Sequence, residues 1–356
     1  MRRFFAVMVL LAAAAAPVNA QSALLESCSA LTVPTAPLAL QSLIESQNQV
    51  LCAQVVTTMQ SVQPTIGIAF SGANPTLGTA STIGTRLGMF PHVTAVARVN
   101  IAPVDMPNMF NGFNATLTTS QLPAMGTSKV PLASLEGDVA VGVFNGLSFG
   151  PALKGLGAVD VLGSVSFVPA ARKAGINSTI YNFGGGARVG ILKQGILMPG
   201  ISFSGMYRRM SDVTFGDIAG GDPAQFTTNL STLSLRGMIS KGLMLLDVAA
   251  GAGYDIYKSN IDMQWVLTCS ASVCGADTPF PGEISGPIKT AAWNVFADAG
   301  ISLLLLHVVG EVGYQKPTSV IGPSDLQNAS LPSQQLVSGD LGGGRLFGSV
   351  GLRITF

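Results

Sequence analysis

A set of charged residues recurs at alternate positions among apolar ones, and these are the first candidates for chemistry. In residues 135–144 (LEGDVAVGVF), Glu136 and Asp138 fall on one side while Val139 and Val141 fall on the other. Such residues could line a channel and orient a solute, or form salt bridges that fill a narrow or plugged interior. Because both signs are present and no ring of one sign stands out, the mixture favours salt bridges. The candidate lumen-lining residues are Arg98, Glu136, Asp138, Asp160, Arg188, Arg236, Asp247, Asp255, Asp298, Glu311 and Arg353.

Other chemistries lack the residues that they require. A hydrolase or acyltransferase needs a histidine beside a serine or a carboxylate, and the chain has 2 histidines. His92 follows a proline in what reads as a turn, and His307, within an apolar run, is interpreted as an interfacial side chain. Neither glycine cluster, at residues 184–186 and 342–344, is followed by the Lys-Ser/Thr of a phosphate-binding loop. We therefore expect no enzyme activity, no catalytic residue, no cofactor and no metal site.

The 4 cysteines are expected to form disulfides, because the chain begins with an export signal. Four cysteines allow three pairings, so the sequence leaves the connectivity open. Cys269 and Cys274 share one polar, turn-rich stretch, which favours a local bridge between them. That bridge would leave Cys28 to pair with Cys52 across the N-terminal segment.

The first residues supply that signal. Met1, Arg2 and Arg3 form a short basic start, residues 4–17 are apolar, and small residues at 18–20 suit a signal peptidase. We interpret residues 1–20 as a secretory signal peptide.

Composition then restricts the fold class. Charged residues make up 10% of the chain, against about 25% in an ordinary soluble protein. The mean hydropathy is +0.47, yet no apolar run after residue 20 reaches the ~20 residues of a membrane helix. Only helices and closed barrels can cross hydrocarbon, so the sequence predicts a barrel. A net charge of +1, without a basic stripe, predicts no nucleic-acid partner.

Alternation of period 2 replaces helical spacing from about residue 65 onward. In residues 157–167 (GAVDVLGSVSF), Val159, Val161 and Val165 oppose Asp160 and Ser164. The pattern predicts an all-β fold, a membrane-spanning antiparallel β-barrel of about 12 strands, or 14, each of about 9 to 13 residues. Long polar stretches near 103–130, 214–225, 262–287 and 316–342 predict outer loops, and residues 193–195 and 241–242 predict tight periplasmic turns.

One apolar run needs a turn to fit this pattern. Asp298 and Glu311 lie on opposite parities, so both can face the interior only if a tight turn falls near residues 303–306 or a bulge restores the phase. The turn is favoured, because the run is otherwise too long for one strand.

The N-terminal segment has a different period. Leu43, Ile44, Leu51 and Val55 keep roughly helical spacing, which predicts a short N-terminal helical segment from about residue 39 to 60, ended before Pro64. The predicted organisation is therefore a signal peptide at 1–20, an N-terminal helical plug or periplasmic segment at 21–64, and a barrel at 65–356.

The signal peptide, the alternating strands and the final strand (RLFGSVGLRITF) together resemble Gram-negative outer-membrane β-barrel proteins over residues 65–356. The resemblance implies a place in the cell outer membrane, contact with outer-membrane lipid, and recognition of Phe356 by the barrel-insertion machinery as an assembly signal.

Two functions fit this fold. The first is a porin-like passive channel or transporter for small or hydrophobic solutes, favoured because a lumen charged along its length is costly to keep without water or a plug. The second is a closed structural or surface-binding barrel that acts through its extracellular loops, as small barrels tend to fill their interiors with side chains.

Overall fold

The computed structural model of the chain describes residues 19–33, 38–85, 92–107, 116–117, 125–149, 153–169, 179–195, 198–303, 305–318, 337–338 and 342–356. The predicted signal peptide lies outside the described residues except for its last two positions, which begin a helix. The described residues form helices α1 (Asn19–Ser29), α2 (Gln41–Ser71) and α3 (Ala271–Cys274). Within this part of the chain, no helix combines the length and hydropathy that crossing a membrane requires.

The described strands are numbered in chain order. They are β1 (Val93–Pro107), β2 (Thr116–Leu117), β3 (Met125–Phe144), β4 (Leu147–Phe149), β5 (Leu153–Leu156), β6 (Val159–Val168), β7 (Ile180–Leu192), β8 (Gly200–Met210), β9 (Val213–Phe215), β10 (Ala224–Thr228), β11 (Ser231–Leu243), β12 (Leu246–Cys269), β13 (Thr278–Leu303), β14 (Leu306–Pro317), β15 (Val337–Ser338) and β16 (Arg345–Thr355).

Ten of these strands close into one antiparallel barrel. Each pairs with the next in the order β1, β3, β6, β7, β8, β11, β12, β13, β14 and β16, and β16 pairs back to β1. The final alternation of the sequence therefore belongs to the closing strand, since β16 has a partner on both sides. Every strand of the ring has two neighbours, so its backbone groups are satisfied without an open edge.

The predicted count of about 12 strands, or 14, is too high for this ring. Strands β12 and β13 have 24 and 26 residues, whereas about 9–11 are enough to cross a membrane. Their surplus forms a hairpin that projects beyond the ring through the predicted loop at 262–287, and β9 and β10 pair beside β12 outside the ring. Alternation continues through the projecting hairpin, so period alone cannot tell ring strands from the others.

The two ends of the barrel differ in their connections. At one end, here the turn end, β11 joins β12 through Met244 and Leu245, and β13 ends at Leu303 one turn before Leu306 begins β14. The turn expected near 303–306 is therefore present. The predicted turn at 241–242 is wrong by a few residues, because Lys241 lies in β11 opposite Val248. At the opposite end, here the loop end, most connections are longer, although one connection at the turn end, between β3 and β6, contains the β4–β5 hairpin.

Helix α2 continues past the predicted stop. It runs through Pro64 to Ser71, so the predicted boundary between residues 64 and 65 falls inside a helix, and the first ring strand begins only at Val93. A proline inside a helix removes one backbone hydrogen bond. Here the neighbouring Gln63 is fixed by barrel side chains, donating to Ser259 Oγ at 2.7 Å and accepting from a threonine hydroxyl of β13 at 2.6 Å. These contacts with the barrel wall hold the helix in place where Pro64 removes a backbone hydrogen bond.

The main apolar core lies at the loop end. There α1 and residues 41–62 of α2 pack against β9, β10 and the projecting hairpin, a unit called the cap below. Trp265 and Phe280 are fully buried in it, and the indole of Trp265 donates to Asn48 Oδ1 at 2.8 Å. Disulfide Cys28–Cys52 joins the two cap helices, and Cys269–Cys274 closes the tip of the hairpin.

Candidate functional site: the barrel interior

The ring strands are polar inside and apolar outside. Apolar side chains at alternate positions are exposed on the outer face, for example Phe183 at 62% and Leu346 at 64% of their surface. The intervening polar side chains, such as Asn182 and Arg345, are buried. A soluble protein has the opposite arrangement.

The residues predicted to line the lumen all lie on this inner face. Asp247, near the turn end, is partly buried, and the others are buried. The buried set is Arg98, Glu136, Asp138, Asp160, Arg188, Arg236, Asp255, Asp298, Glu311 and Arg353.

Several of these charges pair with one another between neighbouring strands of the ring. Arg98 forms ion pairs with Glu136 at 2.9 Å and with Asp138 at 3.1 Å. Arg188 pairs with Asp160 at 2.8 Å, directly opposite it in the strand register. Arg236 and Asp255 make a third pair at 2.8 Å. Pairing of this kind offsets part of the cost of burying these charges.

A fourth group lies at the turn end. Asp247 contacts Arg353 at 3.1 Å and His307 Nδ1 at 3.0 Å, and Ser302 Oγ lies 2.8 Å from the same Nδ1. His307 therefore belongs to the inner wall and not to the outer interface that the sequence suggested. Serine and carboxylate meet the same ring nitrogen, whereas a catalytic triad needs them on opposite nitrogens. The group acts as an ion-pair cluster at the barrel mouth.

Residues 71–85, here the lumen segment, run down the inside of the barrel from the end of α2 to the turn end. Carboxylates of the wall accept hydrogen bonds from its backbone. Glu311 accepts the N–H groups of Ala73 at 3.0 Å and Asn74 at 2.7 Å. Asp298 accepts the N–H of Gly78 at 2.9 Å. Further down, Asp160 accepts the N–H groups of residues 83 and 84 at 3.1 and 3.3 Å.

Arginines of the wall bind the carbonyls of the same segment. Arg98 donates to the carbonyls of residues 71 and 74 at 2.7 and 2.8 Å. Arg236 donates to the carbonyl of residue 73 at 3.0 Å, and Arg353 to that of residue 77 at 2.7 Å. Arg188 donates to the Thr76 hydroxyl. Acids and arginines are both needed because a peptide backbone offers donors and acceptors in alternation.

Two glycines allow the lumen segment to approach the wall closely. A Cβ on Gly78 would lie 2.9 Å from the Val309 methyl groups and 3.0 Å from an Arg353 nitrogen. A Cβ on Gly72 would lie 2.8 Å from Arg98 Nη1. Both glycines have positive φ, +78° and +53°, a region that side chains disfavour.

The inside-out polarity and the closed ring decide the class of protein. In a bilayer every backbone group must be satisfied internally, and a closed barrel with an apolar belt meets that condition. This protein has the fold of a membrane-spanning β-barrel.

Comparisons with known proteins give no activity, and the solved structures that they find resemble this chain only at low TM-scores. No family model and no curated protein matches the chain. The outer membrane protease OmpT from Escherichia coli is 9% identical, with a TM-score of 0.36 over 76% of this chain and 99% of its own. The translocator domain of autotransporter NalP from Neisseria meningitidis is 10% identical, with a TM-score of 0.38 over 86% and 97%. The attachment invasion locus protein Ail of Yersinia pestis is 7% identical, with a TM-score of 0.25 over 75% and 100%.

The set of lumen residues chosen from the sequence misses two buried arginines of the barrel. Arg208 shares the inner face of β8 with Ser202 and Ser204, and Arg345 shares that of β16 with Arg353. Phe203 and Tyr207 point outward at odd positions of β8, and this alternation predicts that Arg208 points inward. The lumen segment is also missed, because it has neither a helical nor a strand period.

Side chains of β8 account for two glycines of the cluster at 184–186. The side chain of Arg208 lies across Gly184, whose Cβ would come 2.6 Å from Arg208 Cγ, and Met206 covers Gly186 in the same way. Arg208 reaches Glu136 at 3.8 Å, but its Nε and the Ser202 hydroxyl find no hydrogen-bond partner among the described residues.

Proposed function

We propose that this protein is a sealed barrel that carries its cap at the cell surface, where the cap and the long connections form a binding surface. The observation that carries the proposal is the bonding of the lumen segment to both the acids and the arginines of the wall. A backbone held on both its donors and its acceptors leaves these charges little freedom to guide a solute.

The direction of the segment supports the surface position of the cap. Outer-membrane barrels have short periplasmic turns and longer extracellular loops, so the loop end is assigned to the outside. The cap lies at that end, and the chain descends from it through the lumen before β1 starts at the turn end. The N-terminal region is therefore assigned to the cell surface, and the periplasmic alternative for 21–64 is disfavoured.

Ion conduction tests the seal. Full-length protein in planar bilayers should pass no steady current, because the lumen segment fills the interior. Deleting residues 21–64 alone should change this little, since residues 71–85 remain. Deleting residues 21–85 should give steady current, with heat-modifiable gel migration as the control for a folded barrel. A full-length protein that conducts as well as the longer deletion would contradict the seal.

Surface labelling tests the topology independently. A peptide tag placed after residue 21, or near Ser272 in the hairpin tip, should bind antibody on intact cells. A tag between Met244 and Leu245 should bind only after the outer membrane has been made permeable. Equal labelling of the two sets, or the reverse pattern, would overturn the assigned orientation.

A gated channel for small solutes, the first expectation from the sequence, is the second candidate. It is favoured by the unpartnered groups beside the lumen segment, Arg208 Nε and the hydroxyls of Ser202 and Ser234. Such groups suit a narrow hydrated passage. Liposomes carrying the protein should then swell in small sugars, and Ser234→Leu should stop the swelling. No swelling with either protein would leave the sealed barrel as the better account.

A further inference from the structure

Two acids of the inner wall, Asp298 on β13 and Glu311 on β14, differ from the other lumen-lining acids. Each of those others forms an ion pair with an arginine. Neither Asp298 nor Glu311 forms an ion pair among the described residues, and both are buried. They lie directly opposite each other in the strand register, which places their Cβ atoms about 5 Å apart. Two buried carboxyls at this separation cannot both be ionised without a large electrostatic cost.

The hydrogen bonds of Glu311 fit an ionised carboxylate. Its Oε1 accepts the N–H of Ala73 at 3.0 Å and the hydroxyl of Ser349 at 3.0 Å. Its Oε2 accepts the N–H of Asn74 at 2.7 Å. Three donors therefore point at this carboxyl, and a backbone N–H can only donate. A proton on either oxygen of Glu311 would compete with one of these bonds.

Asp298 uses only one of its two oxygens. Its Oδ2 accepts the N–H of Gly78 at 2.9 Å and the side-chain amide of Asn74. Its Oδ1 is buried and has no hydrogen-bond partner among the described residues. A buried carboxylate oxygen without a donor is costly while the group is charged. A proton on Oδ1 would neutralise Asp298 without disturbing either bond. The other wall acids with such an oxygen are each paired with an arginine instead: Glu136, Asp138 and Asp255.

The charged groups that surround the two carboxyls are engaged with other partners. They lie on the strands that hold the same stretch of the lumen segment: Arg98 on β1, Arg188 on β7, Arg236 on β11, Asp247 and Asp255 on β12, His307 on β14 and Arg353 on β16. Each of these arginines forms an ion pair with another acid. The lumen segment itself has no titratable side chain. No surrounding cation is therefore paired with a second negative charge at Asp298.

We propose that Asp298 binds a proton on Oδ1 while the lumen segment is bound to the wall, and that Asp298 and Glu311 together form a pH-sensitive switch on this segment. When the segment leaves the wall, water reaches both carboxyls and the proton is released. Opening therefore becomes more favourable as the pH rises, because mass action favours the state that has lost the proton. The switch rests on the sealed barrel proposed above and makes the seal depend on pH.

Hydrogen exchange of full-length protein in nanodiscs tests the switch. Protection is the exchange rate of an amide relative to that of an unstructured peptide at the same pH, so the ordinary pH dependence of exchange cancels. In wild type, protection of the Asn74 and Gly78 amides should fall by up to about tenfold per pH unit between about pH 6 and pH 8. In Asp298→Asn, protection should not change with pH, because no proton is left to release. Asparagine fits the site, since its oxygen can accept both bonds of Oδ2 and its amide nitrogen replaces Oδ1.

Asp262→Asn is the matched control, because Asp262 is an exposed acid on the projecting part of β12 and not on the inner wall. It should keep the pH dependence of wild type. Equal profiles in Asp262→Asn and Asp298→Asn would overturn the proposal. Heat-modifiable gel migration checks that each variant folds. If Asp298→Asn does not fold, the wild-type profile alone still decides, since protection that is constant over this pH range refutes the switch.

Conductance in planar bilayers separates the switch from the seal. Wild-type protein should be silent at about pH 6 and show brief openings that become more frequent toward about pH 9, whereas Asp298→Asn should be silent at both. Equal steady current from wild type at both pH values would contradict the seal. A silent protein whose Asn74 and Gly78 protection is also constant would contradict the switch and leave the seal intact. A silent protein whose protection falls with pH would support the switch as a local opening of the segment.

Discussion

The substitution Gly78→Ala tests how tightly the lumen segment is held, without removing any charge. Gly78 has φ +78°, and a left-handed conformation costs an alanine about 1 kcal/mol. The added Cβ would also lie 2.9 Å from Val309 and 3.0 Å from Arg353, and overpacking of this kind costs about 1–3 kcal/mol. The bound state of the segment should therefore lose about 2–4 kcal/mol relative to an opened one.

Gly157→Ala supplies the matched control. Gly157 has φ +74°, nearly the same as Gly78, but an added Cβ there meets nothing within 4 Å. The Gly157→Ala variant should therefore bear the conformational cost of the positive φ and no packing cost. Gly157 lies at the turn end, outside the lumen segment. The difference between the two variants isolates the contact between the segment and the wall.

Hydrogen exchange of full-length protein in nanodiscs is the assay. The amides of Ala73, Asn74 and Gly78 are bonded to buried carboxylates and should exchange slowly in wild type. A loss of about 2–4 kcal/mol corresponds to an equilibrium constant for local opening, and hence an exchange rate, raised by about 30-fold to 1,000-fold in Gly78→Ala. The Gly157→Ala variant should leave these amides unchanged. If the two variants exchange alike at Ala73 and Asn74, the segment is not packed against the wall as described.

Three more outcomes follow from the ends and the cap. Replacing Cys28 and Cys52 by serine should weaken the cap by about 3 kcal/mol, so that protease cuts the cap while the heat-modifiable barrel persists; unchanged protease resistance would contradict this. Deleting Phe356 should lower the yield of assembled barrel without affecting export across the inner membrane, since its backbone forms the last rung with β1 at 2.9 and 3.4 Å. Glu45 accepts the N–H of Val33 at 3.0 Å, and this bond, aided by a glutamine amide, lowers the pKa of its carboxyl. The stabilisation is present above the ordinary pKa and is lost as the pH falls through the lowered value, so exchange protection of the cap should decrease as the pH falls below the ordinary pKa of a glutamate. Glu45→Gln should abolish that dependence.

The sequence by itself determined the β-barrel and the inward side of the charged residues on its strands, but not the side of His307. Period-2 alternation is local, because successive side chains of a strand point to opposite faces whatever the partner strand is. Glu136, Asp160 and Arg353 could therefore be assigned to the inner face, and Phe356 to the end of the closing strand. The position of the turn between Asp298 and Glu311 also followed, because the apolar run that joins them is too long for one strand.

Tertiary structure alone decided how many strands close the ring and what fills it. The hairpin of β12 and β13 has the same alternation inside the ring and beyond it, so only pairing separates the two parts. The lumen segment has no period, and its partners are far away in sequence: Ala73 and Glu311 are 238 residues apart, and Leu77 and Arg353 are 276 apart. Its contacts use backbone N–H and C=O groups, which nearly every residue carries, so residue types could not reveal that the charges of the wall bind the chain's own backbone.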